Sequence, residues 1–220
     1  MTILLFGPPG CGKGTQSAFI ARRLNIPAIS TGDMLRAGLA AGTQNGETRL
    51  LVNSGNLVGD TLVNAMVTQR ISQPDCREGF LLDGYPRTIP QAHYLRDQLR
   101  TRGLPESTVI HLDVPGSVLI ERVTARRQCP ECGRIYNLLF QAPRVANRCD
   151  VEGATLERRG DDDENVVASR LGAYERITGP LIEFYKGPDY YRVDGNRPPH
   201  EITSEIESIL DQCLMRVRSA

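Results

Sequence analysis

Short, wholly apolar runs alternate along this chain with longer stretches in which apolar residues recur every three or four positions. That alternation predicts strands interleaved with amphipathic helices, and so a parallel sheet covered by helices. Thr2–Phe6 reads as a buried strand, followed by a glycine-rich loop and a helix bearing Ile20 and Leu24. Residues 27–29 read as a second strand. Thr31 is the expected N-cap of a helix carrying Leu35 and Leu39, which Gly42 should stop. Asp60 is the expected cap of a helix with Leu62, Val63, Met66, Val67 and Ile71 on one face. Phe80–Asp83, 109–114 and 190–193 complete a five-stranded set. Between the fourth and fifth strands lies a helix with Val118, Leu119 and Val123. A long helix from about Asp163 carries Val167, Tyr174, Ile177 and Leu181 as its stripe. A final helix carries Ile202, Ile206, Ile209 and Leu210.

Residues 125–162 break this rhythm. They hold three cysteines, short β-type runs and loop residues, and read as an inserted subdomain.

Composition adds limits. The chain has 220 residues, 40% hydrophobic and 24% charged, with 26 basic and 26 acidic side chains. One α/β domain with a sizeable core and inserted lobes fits that length. A net charge of zero argues against a broad nucleic-acid surface, which needs a basic excess. The first apolar run is too short to span a membrane and lacks the charged start of a signal peptide, so a cytoplasmic protein with no membrane partner is expected.

The chemistry concentrates in three places. Gly7-Pro8-Pro9-Gly10-Cys11-Gly12-Lys13-Gly14-Thr15 follows a strand and opens a helix. Such a loop turns backbone N–H groups inward to cradle phosphate oxygens, with Lys13 reaching the β- and γ-phosphates and the Thr15 hydroxyl placed to help hold Mg²⁺. Gly10, Cys11, Gly12, Lys13, Gly14 and Thr15 are therefore candidate ATP-binding residues. Cys11 reads as a small residue contributing its backbone, with a thiol that could be modified if exposed. Asp83 ends a hydrophobic strand, where an acidic residue can hold Mg²⁺ through its water shell. Finally, Cys129-Pro130-Glu131-Cys132 and Cys149-Asp150-Val151-Glu152 give C-x2-C, sixteen residues, then C-x2-E. That is zinc-ribbon spacing with glutamate in the fourth place, so Cys129, Cys132, Cys149 and Glu152 are candidate ligands of a structural Zn²⁺.

Several motifs in order, covering essentially the whole chain, resemble adenylate kinases. They are the G-K-G-T loop at 12–15, Ile29-Ser30-Thr31-Gly32-Asp33-Met34-Leu35-Arg36, and Asp83-Gly84-Tyr85-Pro86-Arg87-Thr88. Glu121-Arg122-Val123-Thr124-Ala125-Arg126-Arg127, Arg159-Gly160-Asp161-Asp162, Arg170 and Val193-Asp194-Gly195 continue the match. The resemblance implies a P-loop NTPase fold, α/β, with a five-stranded parallel sheet. It implies a CORE at 1–29, 59–124 and 163–220, an AMP-binding lobe at 30–58 and a LID at 125–162. It implies reversible phosphoryl transfer, ATP plus AMP giving two ADP, by a monomer. AMP would be held by Thr31, Arg36, the backbone at Asn56, Leu57 and Val58, and Gly84, Tyr85, Pro86, Arg87 and Gln91. ATP would be held by Arg122, Arg126, the Ile135 and Tyr136 segment, and the backbone near Arg197. Arg159 and Arg170 would bridge the phosphates, and Lys13, Arg87, Arg126, Arg159 and Arg170 would carry catalysis.

Three readings stay open at this point. Thr88-Ile89-Pro90-Gln91 also fits a helix capping box, which would use the same Gln91 amide as base reading. A UMP/CMP kinase shares the scaffold, although Thr31 and Gln91 favour adenine. GTP as donor is also open.

Overall fold

The computed structural model describes residues 1–54 and 56–219. Five strands form one parallel sheet: β1 (Thr2–Phe6), β2 (Ala28–Ser30), β3 (Phe80–Asp83), β4 (Thr108–Asp113) and, after the insert, β7 (Tyr190–Asp194), in the order β2-β3-β1-β4-β7. The register pairs Thr2 with Phe80 and Leu5 with Asp83 on one side of β1, and Ile3 with Thr108 on the other. Two of the expected strands sit one residue away from 27–29 and 109–114, a shift the uniform apolar runs do not specify.

Side chains alternate across the sheet, so a strand apolar at every position needs cover on both faces. Ile3 and Leu5 point into one core with Ile20 of α1 (Lys13–Leu24), Leu119 of α6 (Gly116–Thr124) and Ile202, Ile206 and Leu210 of α9 (Pro199–Ser219). Leu4 and Phe6 point into the other. There they meet Val63 and Val67 of α4 (Asp60–Ile71), Leu95 and Leu99 of α5 (Ile89–Thr101) and Leu181 of α8 (Pro180–Tyr185).

Helix starts differ from the sequence reading in an informative way. The N-cap of α2 (Thr31–Ala40) is Ser30, whose Oγ accepts from Asp33 N at 3.2 Å. Thr31 is instead the first helical residue, buried, with its hydroxyl donating to Gly84 O at 2.9 Å. Likewise Gly59 precedes α4 as its cap, and the Asp60 side chain turns to α5. Both side chains have tertiary partners that outcompete the local capping geometry. A helix at α3 (Gly46–Asn53), capped by Asn45, was not legible in the apolar pattern. The long helix expected after Asp163 is α7 (Glu164–Ala173), interrupted by a π-turn at Tyr174–Thr178 before α8. The interruption rotates the stripe, leaving Ile177 exposed and placing Leu181 in the core.

Between α6 and α7, β5 (Arg126–Gln128) and β6 (Ile135–Asn137) form an antiparallel pair. Isolated bridges join Gln128 to Glu157 and Arg148 to Thr155. This unit's own core is only Cys129, Tyr136, Cys149 and Leu156.

Candidate active site

β2 and β3 lie on one side of β1, β4 and β7 on the other. In such sheets the crevice at the carboxyl ends of the strands, where the order reverses, is where ligands bind. Here the loop 7–12 leaves the end of β1, and Asp83 ends β3 beside it. A Cβ at Gly7 (φ +146°) would fall 2.4 Å from Cys11 Sγ and 2.6 Å from Leu112 O, so the tight turn requires glycine there. Lys13 folds back over the loop, donating to Gly7 O at 2.7 Å and Pro8 O at 3.0 Å. These are carbonyl contacts that an anion's oxygens can replace. The Thr15 hydroxyl is exposed on the first turn of α1. Cys11 is buried, and burial pushes its thiol above the usual range, so the condition of exposure on which modification depended is not met.

Asp83 is half-buried. Burial raises its pKa, against the opposing pull of Lys13 and Arg87. The carboxylate therefore stands in the field of both the loop lysine and the arginines across the crevice, which suits it to a cation's water shell.

Those five arginines come from five separate segments of the chain. Arg36 of α2 pairs with Asp33 at 2.5 Å and approaches Asp161 at 3.9 Å. Arg87 donates through Nε to Gly84 O at 2.8 Å. Arg170 of α7 meets Asp161 at 2.9 Å. Arg126 of β5 clasps the fully buried Asp162, its Nε at 2.8 Å. Arg159 donates to Gln128 Oε1 at 2.5 Å. Burial, and then the neighbouring Arg170, pulls Arg87 down to about 10. Burial, and then Arg126, does the same to Arg159. Arg126 is held above the usual value despite burial, because Asp162 neutralises it. The cluster thus carries more positive charge than its carboxylates balance, as a site for several phosphate oxygens must.

Thr31, Arg36, Asn56, Leu57, Val58, Gly84, Arg87, Gln91 and Arg170 line one cleft, together with Leu35, Val52 and Asp161. Arg36 and Asp161 also face an adjoining cleft lined by Gln128, Arg158 and Arg159. Tyr85 and Pro86 lie beneath, buried, with the Tyr85 hydroxyl donating to Asn64 Oδ1 at 2.6 Å. Gln91 is buried; its N–H donates to Thr88 Oγ1 at 3.2 Å, so Thr88 does cap α5. The reciprocal half of a capping box is not made, because Gln91 Oε1 accepts from Arg87 N at 2.8 Å.

The candidate donor-side residues gather separately. Arg122 donates to Gly195 O at 2.8 Å, and its main-chain oxygen accepts from Asn137 Nδ2 at 2.9 Å. This brings α6, β6 and the loop at 195–197 together. The Arg197 side chain turns to Glu205, leaving its backbone at that junction. Ile135 is partly exposed, whereas Tyr136 is buried, its hydroxyl accepting from Asp150 N at 2.7 Å. Tyr136 thus supports the cysteine cluster.

In that cluster the ligand atoms of Cys129, Cys132 and Cys149 lie within 4.8 Å of one another. The group comprises these three thiols; Glu152 is exposed. Two knuckles repeat one design. Gly133 N donates to Cys129 O and Gly153 N to Cys149 O, at 3.0 and 2.9 Å. Both glycines have positive φ, +72° and +70°. Glu152 therefore occupies, in the second knuckle, the position of Cys132 in the first. Backbone N–H groups of Glu152 and Val151, with the Tyr136 hydroxyl, pull Cys149 down to about 6. A set of converging thiols, one favoured as thiolate, fits Zn²⁺.

Sequence reasoning missed the carboxylates that hold the arginines: Asp33, Asp161 and Asp162. Their signal was their place in the motifs Ile29–Arg36 and Arg159-Gly160-Asp161-Asp162, beside the arginines they hold.

A glycine-rich strand-to-helix loop with an inward lysine, an acidic strand end and converging arginines define an α/β nucleotide-binding protein of the P-loop class. The model of one family, described as adenylate kinase, matches residues 5–189. An adenylate kinase of Symbiobacterium thermophilum is 46% identical over 209 residues, 94% of this chain and 97% of its own. One from Photorhabdus laumondii is 45% identical over 218 residues, 96% of this chain and all of its own. The chain belongs to the adenylate kinase family.

Proposed function

We propose that the protein transfers the γ-phosphoryl of ATP to AMP, reversibly, giving two ADP. The observation that carries this reading is the pairing of two anion-ready places around one carboxylate. Asp83 stands in the field of Lys13 from the loop and of Arg87 and Arg36, which line the cleft together with Arg170. ATP would lie with its phosphates on Gly10–Thr15 backbone N–H groups and its adenine near Arg122, Ile135 and the backbone at Arg197. AMP would lie in the cleft, its base against Thr31, Val58 and Gln91 and its phosphate on Arg36 and Arg87.

Transfer between two anions needs alignment and charge neutralisation more than covalent help. Lys13 would exchange the loop carbonyls for β- and γ-phosphate oxygens. Arg126, Arg159 and Arg170 would close on the transferring group from the LID side. Mg²⁺ travels with ATP and offsets phosphate charge; Thr15 and, through water, Asp83 would hold it. Zn²⁺ held by Cys129, Cys132, Cys149 and Glu152 would be structural, since this chemistry needs no open metal position. The equivalence of Glu152 and Cys132 in the two knuckles supports the fourth ligand. No helix among the described residues is long and apolar enough to cross a membrane. We read the working unit as a cytoplasmic monomer.

A coupled assay with AMP, CMP or UMP as acceptor and ATP or GTP as donor tests the function. AMP with ATP should give at least tenfold higher kcat/KM than any other pair. Preference for a pyrimidine acceptor would overturn the assignment.

A further inference from the structure

The reader of the AMP base, as proposed above, is the Gln91 side chain, and a primary amide can be turned over at little cost. Turned one way it offers oxygen where the other offers nitrogen. Three hydrogen bonds decide the matter here. Asp60, the first residue of α4, accepts from Gln91 Nε2 through Oδ1 at 2.7 Å. Its other oxygen, Oδ2, accepts from Thr88 Oγ1 at 2.8 Å. Gln91 Oε1 accepts from Arg87 N at 2.8 Å. A carboxylate has only acceptors, so Thr88 must donate to it and keep its lone pairs for Gln91 N. For the same reason the amide must present nitrogen to Asp60. An inverted amide would set its oxygen against the carboxylate and its NH₂ against the Arg87 N–H. Each sets like against like at a part-buried contact and forfeits the hydrogen bond made there.

We propose that Asp60 is a specificity-determining positioning residue, which locks the Gln91 amide in the one orientation complementary to adenine. With those partners fixed, Gln91 keeps one N–H and one oxygen lone pair for the cleft it lines. Adenine has a donor at N6 and an acceptor at N1, and can take both. Hypoxanthine has the reverse, an acceptor at O6 and a donor at N1. In the same pose it meets donor with donor and acceptor with acceptor. Asp60 itself does not touch the base: it acts through Gln91, from the point where the chain of residues 30–58 rejoins α4.

The proposal rests on the base-reading role of Gln91, and the experiment separates the two. The readout is the ratio of kcat/KM for AMP to that for IMP, with ATP as donor, in the full chain. Asp60→Asn supplies an NH₂ of its own and so relaxes the constraint. Its ratio should fall about tenfold, mainly through KM, with kcat for AMP within about threefold. Asp60→Ser, whose hydroxyl both donates and accepts, serves as the second variant if the first does not fold. Gln91→Ala should collapse the ratio further. Adding Asp60→Asn to Gln91→Ala should then leave the ratio unmoved. A loss of activity shared equally by AMP and IMP in the Asp60 variants overturns the proposal, since that is what a purely structural role gives. An additive double variant also overturns it. A Gln91→Ala enzyme with the parent ratio overturns both the proposal and the Gln91 reading. A ratio lost only with Gln91→Ala overturns the Asp60 role alone.

Discussion

Lys13 shows how little chemistry a side chain needs when the backbone presents it well. Its ammonium already sits 2.7 and 3.0 Å from loop carbonyls at the point where phosphate oxygens would arrive. Lys13→Met should therefore leave circular dichroism and melting temperature near those of the parent while lowering kcat by on the order of a thousandfold or more. Near-normal turnover by the folded variant would remove the lysine from the mechanism. Asp161 belongs to the same scale. Burial alone would raise its pKa, but Arg170 and then Arg36 outweigh that and hold it below the ordinary value. A carboxyl depressed in the folded state stabilises it above the unfolded pKa, near 4, and loses that contribution as pH falls through the lower folded value. Asp161→Asn should thus flatten the stability profile below about pH 4, measured by urea unfolding. An unchanged slope would mean that Asp161 is not depressed.

At the scale of elements, the inserted unit at 125–162 is the part least able to stand by packing. Four buried residues, two of them cysteines, make its core. A metal that binds only the folded form adds its binding free energy to stability. Purified protein should carry close to one zinc per chain by mass spectrometry. Cys149→Ser should lose it and melt several degrees lower, with phosphoryl transfer at low temperature partly retained. Glu152→Ala should weaken zinc binding, and Glu152→Cys should retain or tighten it. Tight zinc in Glu152→Ala would assign the fourth position to another group.

For the whole molecule, the arginines that should surround the transferring phosphoryl come from separate pieces. Arg36 comes from α2, Arg87 from the loop after β3, Arg126 and Arg159 from the insert, and Arg170 from α7. On the function proposed above, bringing two nucleotides into one water-free place by such a set would need the lobes expected at 30–58 and 125–162 to close over the expected CORE. A saturating bisubstrate analogue should reduce the radius of gyration in solution scattering by about an ångström or more, whereas AMP alone should do less. Identical profiles with and without the analogue would argue against closure.

Part of this was legible in the chain itself. A short apolar run such as Ile3–Phe6, ended by a glycine loop, reads as a strand covered on both faces, and glycines at 7, 10 and 12 before a lysine read as a turn around an anion. These are local rules: a residue's own backbone limits and its neighbours at period two or 3.6 are enough. Cysteine spacing set the ribbon for the same reason. The partners of the charged residues were not local. Thr31 looked like a cap because capping depends on three residues, yet it donates to Gly84, fifty-three positions away. Asp60 looked like a cap and instead fixes Gln91, thirty-one positions away. Asp161 and Asp162 carried no role of their own in the sequence until folding set Arg170 and Arg126 against them. Periodicity reports which face of an element is buried and is silent on what a polar group meets there. That is decided by which strand ends the parallel sheet brings side by side.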